Sequence, residues 1–592
     1  MEEIFSMKFA KLFICSNIML LLLFSGVLFA ESRFSIGYKC DQIEFRYGID
    51  SDSLPDLQSL YSVQVKLSCS NQEFSLDNFT QLSNNPIDLN LRDLHVLAEI
   101  PMQYLKSLGY EGIVVFPDPK QIDPVTGKDL RAGNSMKLSF LVWVSILQDI
   151  DVQNDGIDDN VSIRIQSELK RNLLTSGGVG KPVKSETLKY WKRFGNTPSR
   201  SVQVILSPGP SAGEVLSVLK LVPRDPEKLF FQASNSGSPA TGKWMLGSSY
   251  RNNQVSGTDD QLAVNYFSSD TQEVKSFRLS YEKPLVYPNI VLVGGALGYS
   301  NYDASSFAVT QFNFKGDSKY IDLYTKWNPL ETEYKNYSFS FKAGFRGEQR
   351  TASNSLVSGK ADASFITPEV SVLLSTRGKY LQTESTLSIF GNVQSVNTLN
   401  QTLLGGVQTK DQFTRLKISY LESLKIGKWL HDQFDKSFTE KITDQILVTR
   451  FQSGFGLQNQ RHLPQHQFIT GGTGSVRGYP ESPIAGDNGY FISVEYRIPL
   501  SPFKFKDGGS HAKGTLIPFI DWGETFVNEA QYYEGDHSIL GTGIGMELNF
   551  PFGATARIDF AKPLKEIVNY GNILDGTRSS DSRVHAMLRW EF

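Results

Sequence analysis

Cysteine is scarce in this chain of 592 residues: there are three, Cys15, Cys40 and Cys69. The first falls in the N-terminal segment, so the rest of the chain can close at most one bridge, Cys40–Cys69, and one pair gives no spacing pattern to decide between a disulfide and two free thiols. Beyond residue 30 there is no run of about 18 apolar residues, which excludes a transmembrane helix, so any membrane role must use strands. Charged residues make up only 20% and the formal net charge is −3, so nothing global points to nucleic acid. What is abundant is 39 Phe, 24 Tyr and 49 Gly, a balance that favours strands and turns over helical bundles.

The N-terminus indicates the compartment. Lys8 and Lys11 precede the apolar run Ile18 to Phe29, and Ala30–Glu31 is a plausible cleavage point. Residues 1–30 therefore read as a secretory signal peptide. Ile14 before Cys15 is not the small residue that a lipoprotein site needs.

Residues 31–150 mix strand and helix signals. "CDQIEFRY" is strand-like, Leu97, Ile100, Tyr104 and Leu105 have helical spacing, and "GIVVFP" and the alternating "MKLSFLVWVSIL" follow. The result is a strand, helix, strand, strand module. Residues 161–225 repeat the logic more briefly, with helical "SETLKYWKRF" and two strands joined by the Pro/Gly turn of "LSPGPSAGE". Between them, residues 151–160 read as a solvated acidic linker. Asp151, Gln153, Asp155 and Gly156 imitate the first half of a calcium loop, but position twelve is Ser162 instead of a bidentate Glu, so no metal is expected.

From residue 226 to 592 the pattern becomes period-2 alternation broken by Gly, Asn, Asp and Ser. Tyr337, Phe339, Phe341, Ala343 and Phe345 share one face against Ser338, Ser340, Lys342 and Arg346; Ile492, Val494 and Tyr496 oppose Ser493, Glu495 and Arg497; Ala556, Ile558 and Phe560 oppose Arg557 and Asp559. An aromatic-rich apolar face, a polar face with charges of both signs and an exported chain fit an outer-membrane β-barrel with a polar lumen and outer-membrane lipid around it. At about 9 to 11 residues per crossing plus loops, sixteen strands fit, within a range of twelve to eighteen. Trp590 and Phe592 end the chain on the apolar face, as a signal for the barrel assembly machinery would.

One loop invites a different reading. In "GGTGSVRGYPES", Gly472, Gly474 and Gly478 have the spacing of a relaxed dinucleotide fingerprint. Such a site needs a helix N-terminus after the glycines to meet the phosphates, and here Tyr479-Pro480 and another strand follow. There is no Lys-Ser/Thr for a P-loop, and Ser475 lacks the flanking glycines of a nucleophile elbow. Neither an enzyme nor a cofactor is expected.

"QFITGGTGSVRGYPES" followed by "GYFISVEYRIPL" resembles the two-partner secretion transporters, the hemolysin activation/secretion (ShlB/FhaC/HecB-like) family of the BamA-like superfamily. There a Val-Arg-Gly-Tyr motif tips a loop folded into the barrel lumen, matched here by Val476, Arg477, Gly478 and Tyr479. An Asp-x-Gly on a neighbouring strand holds the arginine, matched by Asp521 and Gly523 in "IPFIDWGETF". The resemblance covers residues 160–592, with "FGNTPSRSVQVILSPGPSAGEVLSVLKLV" similar to the second of two periplasmic POTRA domains. The first module is longer than a usual POTRA domain, with an insertion around "SLPDLQSLYSVQVKLSCSNQEF". The resemblance implies an outer-membrane translocator. By the same resemblance its POTRA domains would capture an unfolded exoprotein, which would cross the barrel without ATP. An insertase of the BamA kind, folding other barrels, is the alternative it leaves open.

Overall fold

The computed structural model describes residues 37–592, apart from 49–53, 68–72, 78–85, 132–135, 155–158, 177, 189–190, 192–196, 212, 239–240, 287–289, 308–311, 330–336, 355–358, 407, 435–441, 505–510, 532–533, 570–571 and 574–576. The expected signal peptide and Cys69 therefore lie outside the described residues. The chain divides into two compact units, one running to Pro223 save residues 197–200, the other holding those four and Arg224–Phe592.

The first unit contains two POTRA-like α/β modules. In the first, β1 (Gln42–Tyr47), α1 (Leu91–Ser107), β2 (Ile113–Pro117) and β3 (Lys137–Val144) form a sheet of order β1-β3-β2, with β1 parallel to β3. Asn90 starts α1 with a capping box, its Oδ1 accepting from the Asp93 backbone N–H and Asp93 accepting in return from that of Asn90, each at 3.0 Å. The helix turns Leu94, Leu97, Ala98 and Leu105 inward. The insertion is part of this core: Leu57, Leu60, Val65 and Leu67 are buried with Phe45, Leu138 and Phe140.

In the second module β4 (Ile146–Asn154) pairs in parallel with β6 (Glu214–Pro223), α2 (Asp159–Ser176) follows β4, and β5 (Arg200–Pro208) completes the order β4-β6-β5. This corrects two sequence expectations. "MKLSFLVWVSIL" is two strands of different modules with Ser145 between them, and the acidic linker is mostly strand and helix. Asp149, Asp151 and Gln153 are the exposed half of an alternating strand whose other half includes buried Ile150. Acidity at every second position was therefore strand pattern, and Asp151 and Gln153 lie on that strand while Asp155 and Gly156 fall outside the described residues.

The second unit is a closed antiparallel barrel of sixteen strands. In chain order the first eight are β7 (Glu227–Ser234), β8 (Met245–Asn252), β9 (Gln261–Ser269), β10 (Val274–Val286), β11 (Val291–Phe307), β12 (Phe312–Trp327), β13 (Tyr337–Asn354) and β14 (Ala361–Arg377). The second eight are β15 (Leu381–Asn392), β16 (Phe413–Leu424), β17 (Ile446–Gly456), β18 (Asn488–Pro499), β19 (His511–Phe526), β20 (His537–Asn549), β21 (Ala554–Pro563) and β22 (Arg583–Glu591). Each pairs with the next, and β7 closes on β22 from Phe230↔Glu591 to Ser234↔Met587.

The alternation assigns faces. Phe345, Leu374, Ile558 and Phe560 are exposed outward, whereas the intervening polar residues pair inside. Asp322 accepts from Arg346 Nε at 2.7 Å and Arg278 Nη1 at 3.1 Å, and Lys342 reaches Glu369 at 3.4 Å. Closure leaves no unpaired strand edge, and the outward apolar row is the face that the hydrocarbon of a bilayer would meet.

Candidate functional site

Residues 457–487 join β17 to β18. Within this segment Phe468–Thr470 pairs with Ile484–Gly486 as a short ribbon, and the glycine-rich stretch forms its tip. The tip lies against strand residues that alternate inward: Asp521 is fully buried while its neighbours Ile520 and Trp522 on β19 are exposed. The loop is thus folded into the lumen.

Arg477 is 3% exposed. Its Nε donates to Asp521 Oδ2 at 2.7 Å, its Nη2 to Asp521 Oδ1 at 2.8 Å, and its backbone N–H to Oδ2 at 3.1 Å. This is the two-pronged fork that a planar guanidinium makes and an ammonium cannot. Nη1 donates to Glu495 Oε1 at 2.8 Å and lies 3.5 Å from Asp559 Oδ2, Nη2 donates to Ser493 Oγ at 3.2 Å, and Cζ sits 3.5 Å from the centre of the Phe519 ring. Arg557 shares the acids, donating to Glu495 at 2.6 Å and Asp559 at 3.0 Å, and Arg497 Nε donates to Glu495 Oε2 at 3.2 Å. Three guanidinium groups therefore face Asp521, Glu495 and Asp559. A buried pair of this kind adds little net stability, but removing one member costs about 3–5 kcal/mol because the other is left charged and unpaired.

The rest of the motif seats the tip. Val476 and Tyr479 are fully buried with Ile484, Phe491, Ile539 and Ile567, and Tyr479 Oη donates to the Leu540 carbonyl at 3.0 Å. Gly478 has φ +96° and the backbone of Lys562 2.9 Å from where a Cβ would stand, so a side chain is excluded twice over. Its N–H donates to His585 Nε2 at 3.2 Å, which leaves the proton on Nδ1, 3.1 Å from Thr473 Oγ1. Thr473 donates in turn to Glu481, whose carboxyl burial pushes up and these bonds pull back. Gly523 lets Thr470 and Val476 approach to 3.0 Å of its missing Cβ.

The loop's root is held separately. Buried Asp487 accepts from the backbone N–H of His462 at 2.7 Å and of Asn528 at 2.9 Å, and Arg461 donates to Glu534 at 2.7 Å. Burial pushes His462 down to about 4, so the root carries no histidine charge at neutral pH.

The other expected residues lie elsewhere. Trp590 stacks on Phe592 at 4.8 Å on the outer face, both exposed. Cys40 is buried in the first module, its thiol 3.2 Å from the Gln42 carbonyl, and the question of a bridge to Cys69 falls outside the described residues. Ser493, Glu495, Arg557 and Asp559 sit on the polar strand faces expected to line the lumen, and no local motif picks out these four, His585 or Phe519 for the loop's seat. The available signal was their inward register on the strands neighbouring Asp521.

A closed barrel with a charged loop buried in its lumen, preceded in the chain by POTRA-like modules, defines an outer-membrane β-barrel protein. The model of the haemolysin secretion/activation protein ShlB/FhaC/HecB family matches residues 216–548, and the chain belongs to that family. It is accordingly a two-partner secretion transporter of the BamA-like superfamily, with a secreted exoprotein as its partner. It is 22% identical over 524 residues to the heme/hemopexin transporter protein HuxB of Haemophilus influenzae (strain 86-028NP), covering 85% of this chain and 83% of that one. In fold it is similar to CdiB from Escherichia coli, with TM-score 0.61, 14% identity and 95% and 93% of the two chains covered. It is also similar to BamA from Haemophilus ducreyi lacking POTRA domains 1–3, with TM-score 0.50, 14% identity and 85% and 94% covered.

Proposed function

We propose that this transporter takes an unfolded exoprotein in the periplasm and passes it through the barrel by withdrawing the loop that carries Arg477. The observation that carries the reading is the Arg477 fork: a loop tied to inward residues of β18, β19 and β21 occupies the lumen, and its ties are polar contacts that can be exchanged for others. Such a loop closes the path at rest and yields when a client competes for the space.

Capture falls to the POTRA-like modules. β5 is an edge of its sheet and exposes Ile205, so an extended client segment can add to it, backbone bonds supplying affinity and alternate side chains selectivity. The sequence offers no P-loop, and folding of the client outside supplies the drive.

Removing the transporter from its host separates this reading from that of an insertase. Loss of one exoprotein from the medium with an unchanged porin profile is expected, and a general loss of barrels from the outer membrane would overturn the proposal. The terminal aromatics Trp590 and Phe592 are proposed as the contact for the assembly machinery. Deleting Phe592 is then expected to lower the heat-modifiable, folded barrel several-fold, and unchanged levels would refute that role.

A further inference from the structure

The outer wall of the barrel carries a shallow groove of about 750 Å³. Two cross-strand rows form it. Leu297, Ile321, Gly347 and Ile366 lie side by side on β11 to β14, and one row nearer the loop-bearing rim lie Tyr299, Lys319, Gln349 and Ser364. Leu297 is 53% exposed and Ile321 and Ile366 43% each, so the first row points away from the lumen, whereas Tyr320 and Glu348 between the rows belong to the inner face.

Gly347 makes the hollow. A Cβ there would meet only Ile321 Cγ2 at 3.5 Å, and its backbone is ordinary strand, so neither strain nor a close neighbour demands glycine. What the missing side chain leaves is space between Ile321 and Ile366, walled by Leu297, Phe277 and Tyr299. Along β13 the outward row is apolar from Tyr337 to Phe345 and polar from Gln349 onward, which puts the groove at the last step of the hydrocarbon band.

Lys319 stands at its polar end. It is exposed and makes no ion pair among the described residues, unlike Lys315, which reaches Asp303, and Lys326, which reaches Glu282 at 2.5 Å. Asp317, the next outward residue toward the rim, is engaged by the Thr351 hydroxyl at 2.7 Å. An unpaired ammonium over an open apolar hollow, at the boundary between hydrocarbon and water, is complementary to an anionic headgroup with an acyl chain behind it.

We propose that this groove binds a phosphorylated, multiply acylated lipid of the outer leaflet, of the lipid A type, with an acyl chain over Gly347 and a phosphate on Lys319. The choice of leaflet follows from the strands. Both barrel termini, Glu227 and Phe592, lie at one rim, and Lys319 lies toward the other, the rim of the 457–487 loop, which the proposed orientation places outside.

Native mass spectrometry of the full-length protein in detergent tests this, with hexa-acylated bisphosphorylated lipid A and phosphatidylglycerol offered separately. Wild type is expected to retain one lipid A in preference to phosphatidylglycerol, and Lys319→Gln and Gly347→Leu each to lower the bound fraction about ten-fold. Heat-modifiable mobility on gels shows that both variants are folded barrels, and Lys319→Gln, at an exposed site, stands if Gly347→Leu does not fold. Equal retention by wild type and Lys319→Gln, or phosphatidylglycerol held as firmly as lipid A, overturns the proposal.

Discussion

Replacing Arg477 by alanine is expected to cut secretion of the exoprotein at least about ten-fold while leaving the barrel folded in the membrane, since breaking a buried pair costs about 3–5 kcal/mol. The cost falls on the loop's seat. Arg557 continues to serve Glu495 and Asp559, but Asp521, fully buried, loses both side-chain prongs and retains only the backbone N–H of residue 477. The barrel's closure is the pairing of β7 with β22 from Phe230↔Glu591 to Ser234↔Met587, which uses no contact of Arg477 and should survive. Lysine is not expected to rescue, because one ammonium cannot reach both Asp521 oxygens and Glu495 in the geometry of Nε, Nη2 and Nη1. Exoprotein in the medium, normalised to heat-modifiable barrel in outer-membrane fractions, is the readout. Normal secretion by Arg477→Ala would remove the loop from the mechanism.

Much of this site is written in the chain, but unevenly. Arg477 and Asp521 stand out because each sits in a short motif with glycine beside it, Gly478 where φ must be positive and Gly523 where Val476 packs. Glu495 and Asp559 sit in plain alternating strands, and nothing local distinguishes them from Lys342 or Glu369, which pair with each other on the same wall far along the chain. Only the barrel's register tells them apart, since it brings β18 and β21 to the loop on either side of β19 and β20. The barrel itself was legible because period-2 patterning is a local property repeated many times. The second module's first strand was not, because Asp149, Asp151 and Gln153 are acidic or polar on its exposed side and resemble a linker when buried Ile150 is discounted. The segment from Leu57 to Leu67 reads in the sequence only as an insertion, and its place in the core depends on residues more than 70 positions away, such as Leu138 and Phe140.

The seat can also be blocked without touching a charge. Gly541 on β20 lies so close to the loop that a Cβ there would stand 1.9 Å from the Arg477 carbonyl oxygen, a backbone atom that no rotamer change can move. Gly541→Val is therefore expected to displace the tip from the lumen while Arg477, Asp521, Glu495 and Asp559 all remain, and to lower secretion as far as Arg477→Ala does. If seating is the shared event, the double variant should be no worse than either single one, because residues acting on one event are not additive. The unseated loop should also raise the ion conductance of the purified protein in planar bilayers several-fold. Secretion preserved in Gly541→Val but lost in Arg477→Ala would separate the charge from the seat and assign Arg477 a direct contact with the moving client.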